Sequence, residues 1–449
     1  MTNNGARLTW DKTDQQEEPP RHWHVAERIY PCPVYDGSGL FTPENKRQSE
    51  QPPLFNRLVQ ANNLHFLKRL IEEGYAGKID LIYIDPPYLS QGRYASRVEV
   101  GEKADRHFIA RQVFDDSWGN SMSAYLEHMF CRLQLMHELL SPGGSIFVHL
   151  DWHVSHYVKL LLDAVFAPDL FINEIVWCYG GGSGARRHFH RKHDAILWYA
   201  KSQDYIFNPQ YRPYSPGTRQ RGLTRVKGDK YQLHQEGAIM QDWWTDINKI
   251  LSPTAYENLK FPTQKPLALL QRIIASASLP GSLVADFYSG SGTLAQVCEQ
   301  MERRWIACDD SSIAIHTTMQ RMIKGEGHPF TLERTDEIAD GGLAALPGIA
   351  VNVYDHKHEL RNVALSLEKC RILSPQTAKD EVPALSLAFW AVDLEGLDIF
   401  SSDLQVMRST SNYQSPLPLE MTLSVPTGVQ AAVKAYDLWG REYYSRIQL

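Results

Sequence analysis

The sequence predicts an α/β protein built on a doubly wound, mostly parallel sheet, and three observations support this fold class. Between residues 55 and 335, stretches with helical hydrophobic spacing alternate with short apolar runs of strand length. Two of those runs lead directly into turns rich in proline or glycine. The chain has 449 residues, of which 43% are hydrophobic and 22% charged, so two or three units with their own cores are expected.

The amino-terminal stretch, residues 1–54, is polar and has little periodicity. We therefore expect a surface or disordered segment that carries no chemistry. The first α/β unit follows, with helical spacing at 64–71 and a buried strand at 79–84. Further helices are predicted at 125–140, 156–166, 267–277 and 294–301, and further strands at 145–150, 283–287 and 305–308. The stretch 55–335 is thus predicted to form the α/β domain.

The pattern changes after about Gly341 to short strand-like runs separated by turn residues, for example at 385–392 and 433–436. We expect residues 341–449 to form a small β-rich accessory domain. Residues 331–449 contain ten Lys or Arg and sixteen Asp or Glu, so this surface should repel phosphates. The domain is therefore predicted to pack on the α/β part or to mediate self-association, such as a homodimer; simple structural support is the alternative.

Six cysteines are scattered singly without a CxxC pair, which is typical of reduced thiols in a cytosolic protein and predicts neither disulfides nor a metal site. The amino terminus lacks the apolar stretch of a signal peptide, and no run of eighteen apolar residues occurs. We therefore expect a cytoplasmic protein without a membrane partner. The formal net charge of −6 disfavours a polyanionic partner unless positive charge is concentrated in one region.

The first motif with chemical meaning is Asp85-Pro86-Pro87-Tyr88, which follows the predicted strand 79–84. An exocyclic amine on a nucleobase is a poor nucleophile, because its lone pair is delocalised into the ring. The Asp85 carboxylate and the Pro86 carbonyl can accept the two N–H bonds of such an amine, and Tyr88 can stack on the base. The prolines hold these acceptors in place before the reaction. The alternative is a strand-ending turn without chemistry.

The second motif is a strand that runs into a glycine turn and then a helix, at residues 283–293. Its glycines allow a ligand to approach the backbone closely, but the turn is shorter than the dinucleotide fingerprint and is a weak signal alone. The next strand ends at Asp309, 23 residues after Asp286, which is near the spacing at which a carboxylate binds ribose hydroxyls. The candidate ligand contacts are Asp286, Phe287, Ser289, Gly290, Gly292, Thr293 and Asp309.

Together these stretches resemble the DNA amino-methyltransferases of the adenine-N6 and cytosine-N4 type, in the permuted class whose catalytic motif precedes the cofactor motif. The similarity covers about residues 55–330. It implies a Rossmann-like methyltransferase sheet, S-adenosyl-L-methionine as the cofactor, and DNA as the partner. Asp85 to Tyr88 resemble the catalytic tetrad, and residues 286–292 resemble the cofactor loop. Thr263-Gln-Lys265-Pro resembles the short motif that closes the cofactor pocket.

One position departs from the family pattern. The family often has Gly-Asp-Asn before the helix that precedes the catalytic strand, whereas this chain has Ala61-Asn62-Asn63. An amide accepts hydrogen bonds as a carboxylate does but brings no charge. A role for Asn62 as a cofactor contact is therefore not predicted.

Positive charge is concentrated in residues 185–230, which contain eleven Lys or Arg and three Asp, with aromatic side chains between them. Such a composition suits phosphate contacts and base stacking, although a solvated basic face is the alternative. The resemblance implies a target-recognition segment at about 203–262 and a target base flipped out of the duplex. The loop 89–118 is a candidate for closing over that base or a surface excursion. The candidate DNA contacts are Arg186, Arg187, Arg191, Arg219, Arg221 and Arg225.

The family tendency links Asp at the first tetrad position to adenine, so adenine N6 is the predicted target and cytosine N4 the alternative. A catalytically inactive DNA-binding protein is an alternative of another class, but every tetrad and loop residue is present. Hydride transfer with NAD is disfavoured by the short glycine turn. Neither the recognised DNA sequence nor a restriction-enzyme partner follows from these motifs.

Overall fold

The structure is a computed structural model of the chain. It describes residues 8–10, 22–31, 56–100, 107–118, 121–182, 184–223, 233–250, 252, 255–325, 327–335, 344–346, 348–357, 360–368, 371–373, 381–383, 386–394, 399–402, 404–408 and 416–449. The helices are α1 (Asn63–Glu72), α2 (Met122–Leu139), α3 (Ser155–Phe166), α4 (Pro216–Leu223), α5 (Leu267–Ala277), α6 (Thr293–Gln300) and α7 (Ser312–Lys324).

Strands and helices are interspersed as far as Thr335, and the elements described after it are strands. The first fourteen are β1 (Trp23–Ile29), β2 (Asn56–Gln60), β3 (Ile79–Ile84), β4 (Arg93–Val100), β5 (His107–Asp115), β6 (Leu140–Leu150), β7 (Phe171–Cys178), β8 (His193–Ala200), β9 (Tyr211–Arg212), β10 (Ala238–Ile239), β11 (Trp243–Trp244), β12 (Leu283–Asp286), β13 (Arg304–Asp309) and β14 (Phe330–Thr335). The others are β15 (Ala344–Ala345), β16 (Ala350–Lys357), β17 (Leu360–Ser366), β18 (Arg371–Leu373), β19 (Glu381–Pro383), β20 (Leu387–Asp393), β21 (Phe400–Ser402), β22 (Leu404–Met407), β23 (Glu420–Pro426), β24 (Gln430–Asp437) and β25 (Glu442–Gln448).

Eleven strands form one sheet in the order β11-β7-β8-β6-β3-β12-β13-β2-β14-β1-β21. The six strands from β6 to β14 in this order pair in parallel. Antiparallel pairs flank them, because β8 runs against both β6 and β7 and β1 runs against β14. The predicted mostly parallel sheet is thus confirmed for its centre.

Helices cover both faces of this sheet. Helices α1, α2 and α3 contribute to one apolar cluster, and α5, α6 and α7 to another. Helix α1 begins where the Asn62 side chain accepts a hydrogen bond from the Leu64 backbone N–H (2.9 Å), and it buries Phe66, Leu67 and Leu70. Helix layers on both faces of the sheet confirm the predicted doubly wound arrangement.

The expectation of a surface or disordered amino-terminal segment is wrong for strand β1. This strand pairs with β14 inside the main sheet, and Glu27 and Ile29 are fully buried. Glu27 forms an ion pair with Lys434, whose ammonium is also buried. The sequence does not indicate this strand, because Glu27 interrupts its apolar pattern. The partner that explains the buried charge, Lys434, lies about four hundred residues later in the chain.

The stretch 89–118, expected as a loop, contains an antiparallel hairpin made of β4 and β5. Its side chains Val98, Val100 and Ile109 pack with Ala388 and Leu438 of the carboxyl-terminal strands. The hairpin is therefore held by apolar contacts rather than forming a solvated excursion.

The strands from β15 onward build separate, smaller sheets, one in the order β15-β25-β24-β20-β22 and another in the order β16-β17-β23. Their inward side chains share an apolar cluster of their own. Strand β21 instead extends the main sheet beside β1, and Glu442 pairs with Arg334 of β14. No helix in the described part of the chain is long and apolar enough to cross a membrane.

Candidate active site

A cavity of about 660 Å³ opens at the carboxyl ends of the central parallel strands. Its walls come from the turns after β3, β12 and β13, from the hairpin strand β5, and from the stretch 261–265. Open α/β sheets bind their ligands at this edge. The two motifs predicted from the sequence therefore face one shared cavity.

Asp85 lies at the end of β3 and is enclosed by two hydrogen-bond donors. One carboxylate oxygen accepts from the Tyr88 hydroxyl, and the other contacts the Lys265 ammonium. The same ammonium lies 3.4 Å from the Tyr88 oxygen. Lys265 is predicted from the sequence as a cofactor contact; the structure brings its charge to the candidate catalytic carboxylate, and Thr263 lies on the exposed rim of the cavity.

The backbone after the tetrad is fixed by Asp116, which no sequence motif singles out. Its buried carboxylate accepts from the backbone N–H groups of Tyr88 (3.2 Å), Leu89 (3.0 Å) and Ser90 (2.8 Å), and from the Trp118 indole (2.9 Å). Leu89 adopts a positive φ of 55°, which residues with side chains rarely do. Asp116 thus stabilises the turn that orients Tyr88.

The glycine turn joins β12 to α6 at the other end of the cavity. Gly290 and Gly292 have φ angles of 49° and 70°, in the left-handed region that favours glycine. A Cβ on Gly292 would lie 2.6 Å from the Thr318 side chain, so only glycine fits there. The Gly290 N–H donates to the Asp309 carboxylate at 2.8 Å, which ties the turn to the end of β13.

Two carboxylates at this end accept hydrogen bonds from backbone N–H groups. Asp286 accepts from Tyr288 at 3.0 Å, and Asp309 accepts from Gly290 and from Ser311, the latter at 3.0 Å. Burial raises the pKa of Asp286 well above its ordinary value. Loss of solvent around the group, together with the neighbouring Asp310, raises the pKa of Asp309 to about 7.

Arg132 is a buried cation beside the same end of the cavity, and sequence reasoning missed it. Its guanidinium donates to the Asn62 side chain at 2.9 Å and to the Asn63 side chain at 2.5 Å. Asn63 in turn donates to the Phe287 carbonyl at 2.7 Å. The departure from the family pattern at Asn62 therefore has a structural consequence, because the amide serves both as a helix cap and as an acceptor for Arg132.

The glycine-turn end can accommodate a ligand with several hydrogen-bond donors. The Ser289 hydroxyl is buried in the cavity wall and has no hydrogen-bond partner within the described residues. The Asp309 carboxylate faces the same space. The Thr293 hydroxyl, by contrast, accepts from Arg321 at 2.8 Å and belongs to the scaffold. Ribose hydroxyls and an ammonium group, as in S-adenosylmethionine, match the acceptors that this wall presents.

The predicted DNA contacts lie on two segments. The segment between β7 and β8 carries exposed Arg186, Arg187 and Arg191, and the Arg191 guanidinium lies 3.9 Å from the centre of the Trp152 ring. Arg219 is exposed on α4. The Arg221 side chain and all of Arg225 lie outside the described residues.

Comparisons with known proteins place the chain in a family. A family described as DNA methylase matches residues 79–320. The type II methyltransferase M.EcaI of Enterobacter cloacae is 28% identical over 331 residues, covering 60% of this chain and 70% of that protein. The DNA adenine methyltransferase YhdJ of Escherichia coli K12 is 25% identical over 268 residues, covering 59% of this chain and 82% of that protein.

Among solved structures, the M1.HpyAVI–SAM complex aligns over 59% of this chain and 98% of that chain, with 20% identity and a TM-score of 0.39. The family match spans more than half of the 449 residues and includes both motifs of the cavity. The chain belongs to the DNA methylase family of S-adenosylmethionine-dependent methyltransferases.

Proposed function

We propose that this chain transfers a methyl group to N6 of adenine in DNA, on a base flipped out of the duplex. The observation that carries the proposal is the single cavity that joins Asp85 and Tyr88 to the turn at Gly290 and Asp309. A nucleobase amine and a methyl donor can meet only in a space that both binding regions share.

The tetrad supplies the acceptors for the amine. One Asp85 oxygen and the Pro86 carbonyl accept the two N–H bonds, so the nitrogen lone pair turns out of the ring conjugation and toward the methyl carbon. S-adenosylmethionine would supply an electrophilic methyl group: the N–C bond would form as the S–C bond breaks, S-adenosylhomocysteine would leave, and one amine proton would pass through the Asp85 carboxylate to solvent. Tyr88 stacks on the base and offsets part of the flipping cost of about 3 kcal/mol.

Lys265 and Tyr88 cover the oxygens of Asp85 in this structure. The target amine must therefore replace one of the two donors when the base enters. The Tyr88 hydroxyl is the one expected to leave, because a neutral hydroxyl binds a carboxylate less strongly than the charged Lys265 ammonium does. Lys265 then keeps its contact with the other oxygen of the Asp85 carboxylate.

The cofactor is proposed to lie against the turn after β12, with its ribose hydroxyls on Asp309 and its methionine part near Ser289. The proposed cofactor contacts also include Asp286, Phe287, Gly290, Gly292, Thr263 and Lys265. The open acceptors on this wall support that placement.

DNA is proposed to lie across the segment 179–192 and the recognition segment 203–262. Strand β8 begins where the first of these segments ends, and it is two strands from β3, a lateral distance of about 10 Å. Exposed arginines there can neutralise phosphates close to the cavity mouth. Phe189, with 98% of its surface exposed, is available to contact a base.

We propose residues 55–335 as the catalytic domain and 341–449 as a β-rich accessory domain. The separate apolar cluster of the carboxyl-terminal strands supports this division, while β21 and Glu442 attach them to the main sheet. Self-association through this part and a cytoplasmic location stay predictions.

Analysis of methylated nucleosides tests the proposal. The purified chain is incubated with S-adenosylmethionine and DNA of mixed sequence, and the digested nucleosides are identified by mass spectrometry. We expect N6-methyladenine from the wild type and from Asp169→Ala, an exposed carboxylate at the other end of the sheet, and none from Asp85→Ala. N4-methylcytosine would redirect the assignment to the second target of the family, and no methylated base at all would refute it.

A further inference from the structure

A fully buried histidine lies directly behind Tyr88. His149 occupies β6, the strand next to β3, and its ring lies nearly parallel to that of Tyr88, with an interplanar angle of 22° and a centroid separation of 6.4 Å. This separation lies in the range of offset aromatic pairs. One face of the Tyr88 ring therefore packs against the His149 ring.

Both nitrogens of His149 have partners. Nδ1 lies 2.9 Å from the Tyr83 hydroxyl, and Nε2 lies 3.3 Å from an Asp194 oxygen. An ionised Asp194 can only accept, so Nε2 carries the proton and Nδ1 accepts from Tyr83. Burial lowers the pKa of His149, and the nearby Lys265 ammonium lowers it further. The two hydrogen bonds therefore give the histidine ring one defined orientation.

Asp194 connects this histidine to the segments that face DNA in the proposed function. Its other oxygen accepts from the Tyr179 hydroxyl at 2.8 Å, and the Lys249 ammonium lies 3.6 Å away. Tyr179 begins the segment 179–192, and Lys249 belongs to the segment 203–262. Burial alone would raise the pKa of Asp194, but the hydrogen bond to His149 and the Lys249 charge outweigh it and hold that pKa below its ordinary value.

We propose, on the basis of the proposed function, that His149 and Asp194 are positioning residues for Tyr88. They hold the tyrosine ring at the angle needed to stack on the flipped base, and they anchor that ring to the segments that bind DNA. Neither residue lines the cavity, so neither touches the base or the cofactor directly. Their effect on methyl transfer passes through Tyr88.

Burying the polar side chains of His149 and Asp194 costs folding free energy, and a role in orienting Tyr88 accounts for that cost. A buried carboxylate and a buried imidazole lose their hydration, and an apolar pair of similar volume would fill the same core without that cost. The polar side-chain atoms of this network have partners within hydrogen-bond distance, so the ring planes are fixed and not merely packed.

Two substitutions distinguish the contribution of the His149 ring from that of its hydrogen bonds. His149→Phe keeps an aromatic face but leaves Tyr83 and Asp194 without their partner, whereas His149→Gln can keep both hydrogen bonds but loses the ring. Each is expected to lower the single-turnover methylation rate at least tenfold while the Kd for S-adenosylmethionine stays within twofold. His316→Phe is the matched control, since His316 is also buried, pairs with a carboxylate on Glu442 (3.2 Å) and lies away from the cavity.

A double-mutant cycle with Tyr88→Ala provides the decisive comparison. If His149 acts through Tyr88, His149→Phe lowers the rate in the wild-type background but not in the Tyr88→Ala background. Equal losses in both backgrounds, or a loss that follows cofactor affinity or the folded fraction, would overturn the positioning role. Failure of the wild type to methylate adenine in the same assay would instead refute the proposed function itself, and this inference with it.

Discussion

The two ends of the cavity use carboxylates in opposite ways. Asp85, at the tetrad end, contacts the Lys265 ammonium and the Tyr88 hydroxyl, so a cation sits beside it before any ligand binds. Asp286 and Asp309, at the glycine-turn end, form no ion pair within the described residues and accept from backbone N–H groups. The tetrad end therefore has to exchange one of its own donors for the amine, whereas the glycine-turn end gains from a ligand that brings donors of its own.

The largest expected effect is a substitution at the tetrad end that abolishes methyl transfer without weakening cofactor binding. Asp85→Ala removes the acceptor for the target amine, and we expect methyl transfer to fall to background while the Kd for S-adenosylmethionine changes less than about twofold. Asp85→Asn, which keeps the shape but not the charge, should also lose most of the activity. Radiolabelled methyl transfer and calorimetry on the same preparations measure both quantities. Substantial turnover by either variant would contradict the assignment of Asp85.

Substitutions at the glycine-turn end should do the reverse. Asp309→Ala loses the ribose acceptor and the anchor of Gly290, at a cost of about 1 to 3 kcal/mol in cofactor binding. Gly290→Val places a side chain at a positive φ, with its Cβ only 3.3 Å from Phe261. Both variants should show weaker S-adenosylmethionine binding by calorimetry, and saturating cofactor should restore part of the rate of Asp309→Ala. Unchanged affinity in both would place the cofactor elsewhere.

The pH dependence of cofactor affinity sharpens the same comparison. The pKa of Asp309 is raised to about 7, and ribose hydroxyls donate only to an acceptor, so the bound cofactor favours the ionised carboxylate. At a pH below that pKa, binding must displace a proton, so affinity should fall by up to about tenfold per pH unit between pH 7 and pH 6 and change little above pH 8. Asp309→Asn should flatten the profile. Tighter binding at low pH would reverse the predicted sign.

The smallest effect on chemistry is expected from charge reversal on the proposed DNA surface. Changing Arg219, Arg221 and Arg225 to Glu should weaken DNA binding and lower the slope of log K against log salt by about 0.9 for each phosphate that is no longer neutralised. The rate at saturating DNA should change little, because the proposed role of these side chains is to bind phosphates outside the cavity. Arg446→Glu, an exposed reversal on β25, serves as the matched control. A slope equal to that of the wild type would assign the three arginines to a solvated face.

The parts that could be predicted from the sequence are those encoded by adjacent residues. The tetrad at Asp85 and the turn at Gly290 were identifiable because each motif is contiguous and follows an apolar run of strand length. Asp116, Arg132 and His149 were not, since their roles depend on side chains or N–H groups that are 26 to 70 residues away. Hydrogen bonds between distant segments leave no local periodicity, so only the folded chain reveals them.

The contact between Lys265 and Asp85 could not be predicted from the sequence for the same reason. The short motif around Lys265 is assigned to the cofactor pocket by a family resemblance, but the Lys265 ammonium contacts Asp85, which lies 180 residues earlier in the chain. Likewise, strand β1 was missed because the buried Glu27 looks like a surface residue until its partner Lys434 is known.

Single-molecule sequencing of DNA from cells that express the chain tests the central claim most directly, because it returns the modified base and its sequence together. We expect N6-methyladenine at one recurring sequence with the wild type, and no modified base with Asp85→Ala expressed to the same level. Modification of cytosine, or adenine methylation that persists in the Asp85→Ala variant, would contradict the proposed reaction at Asp85.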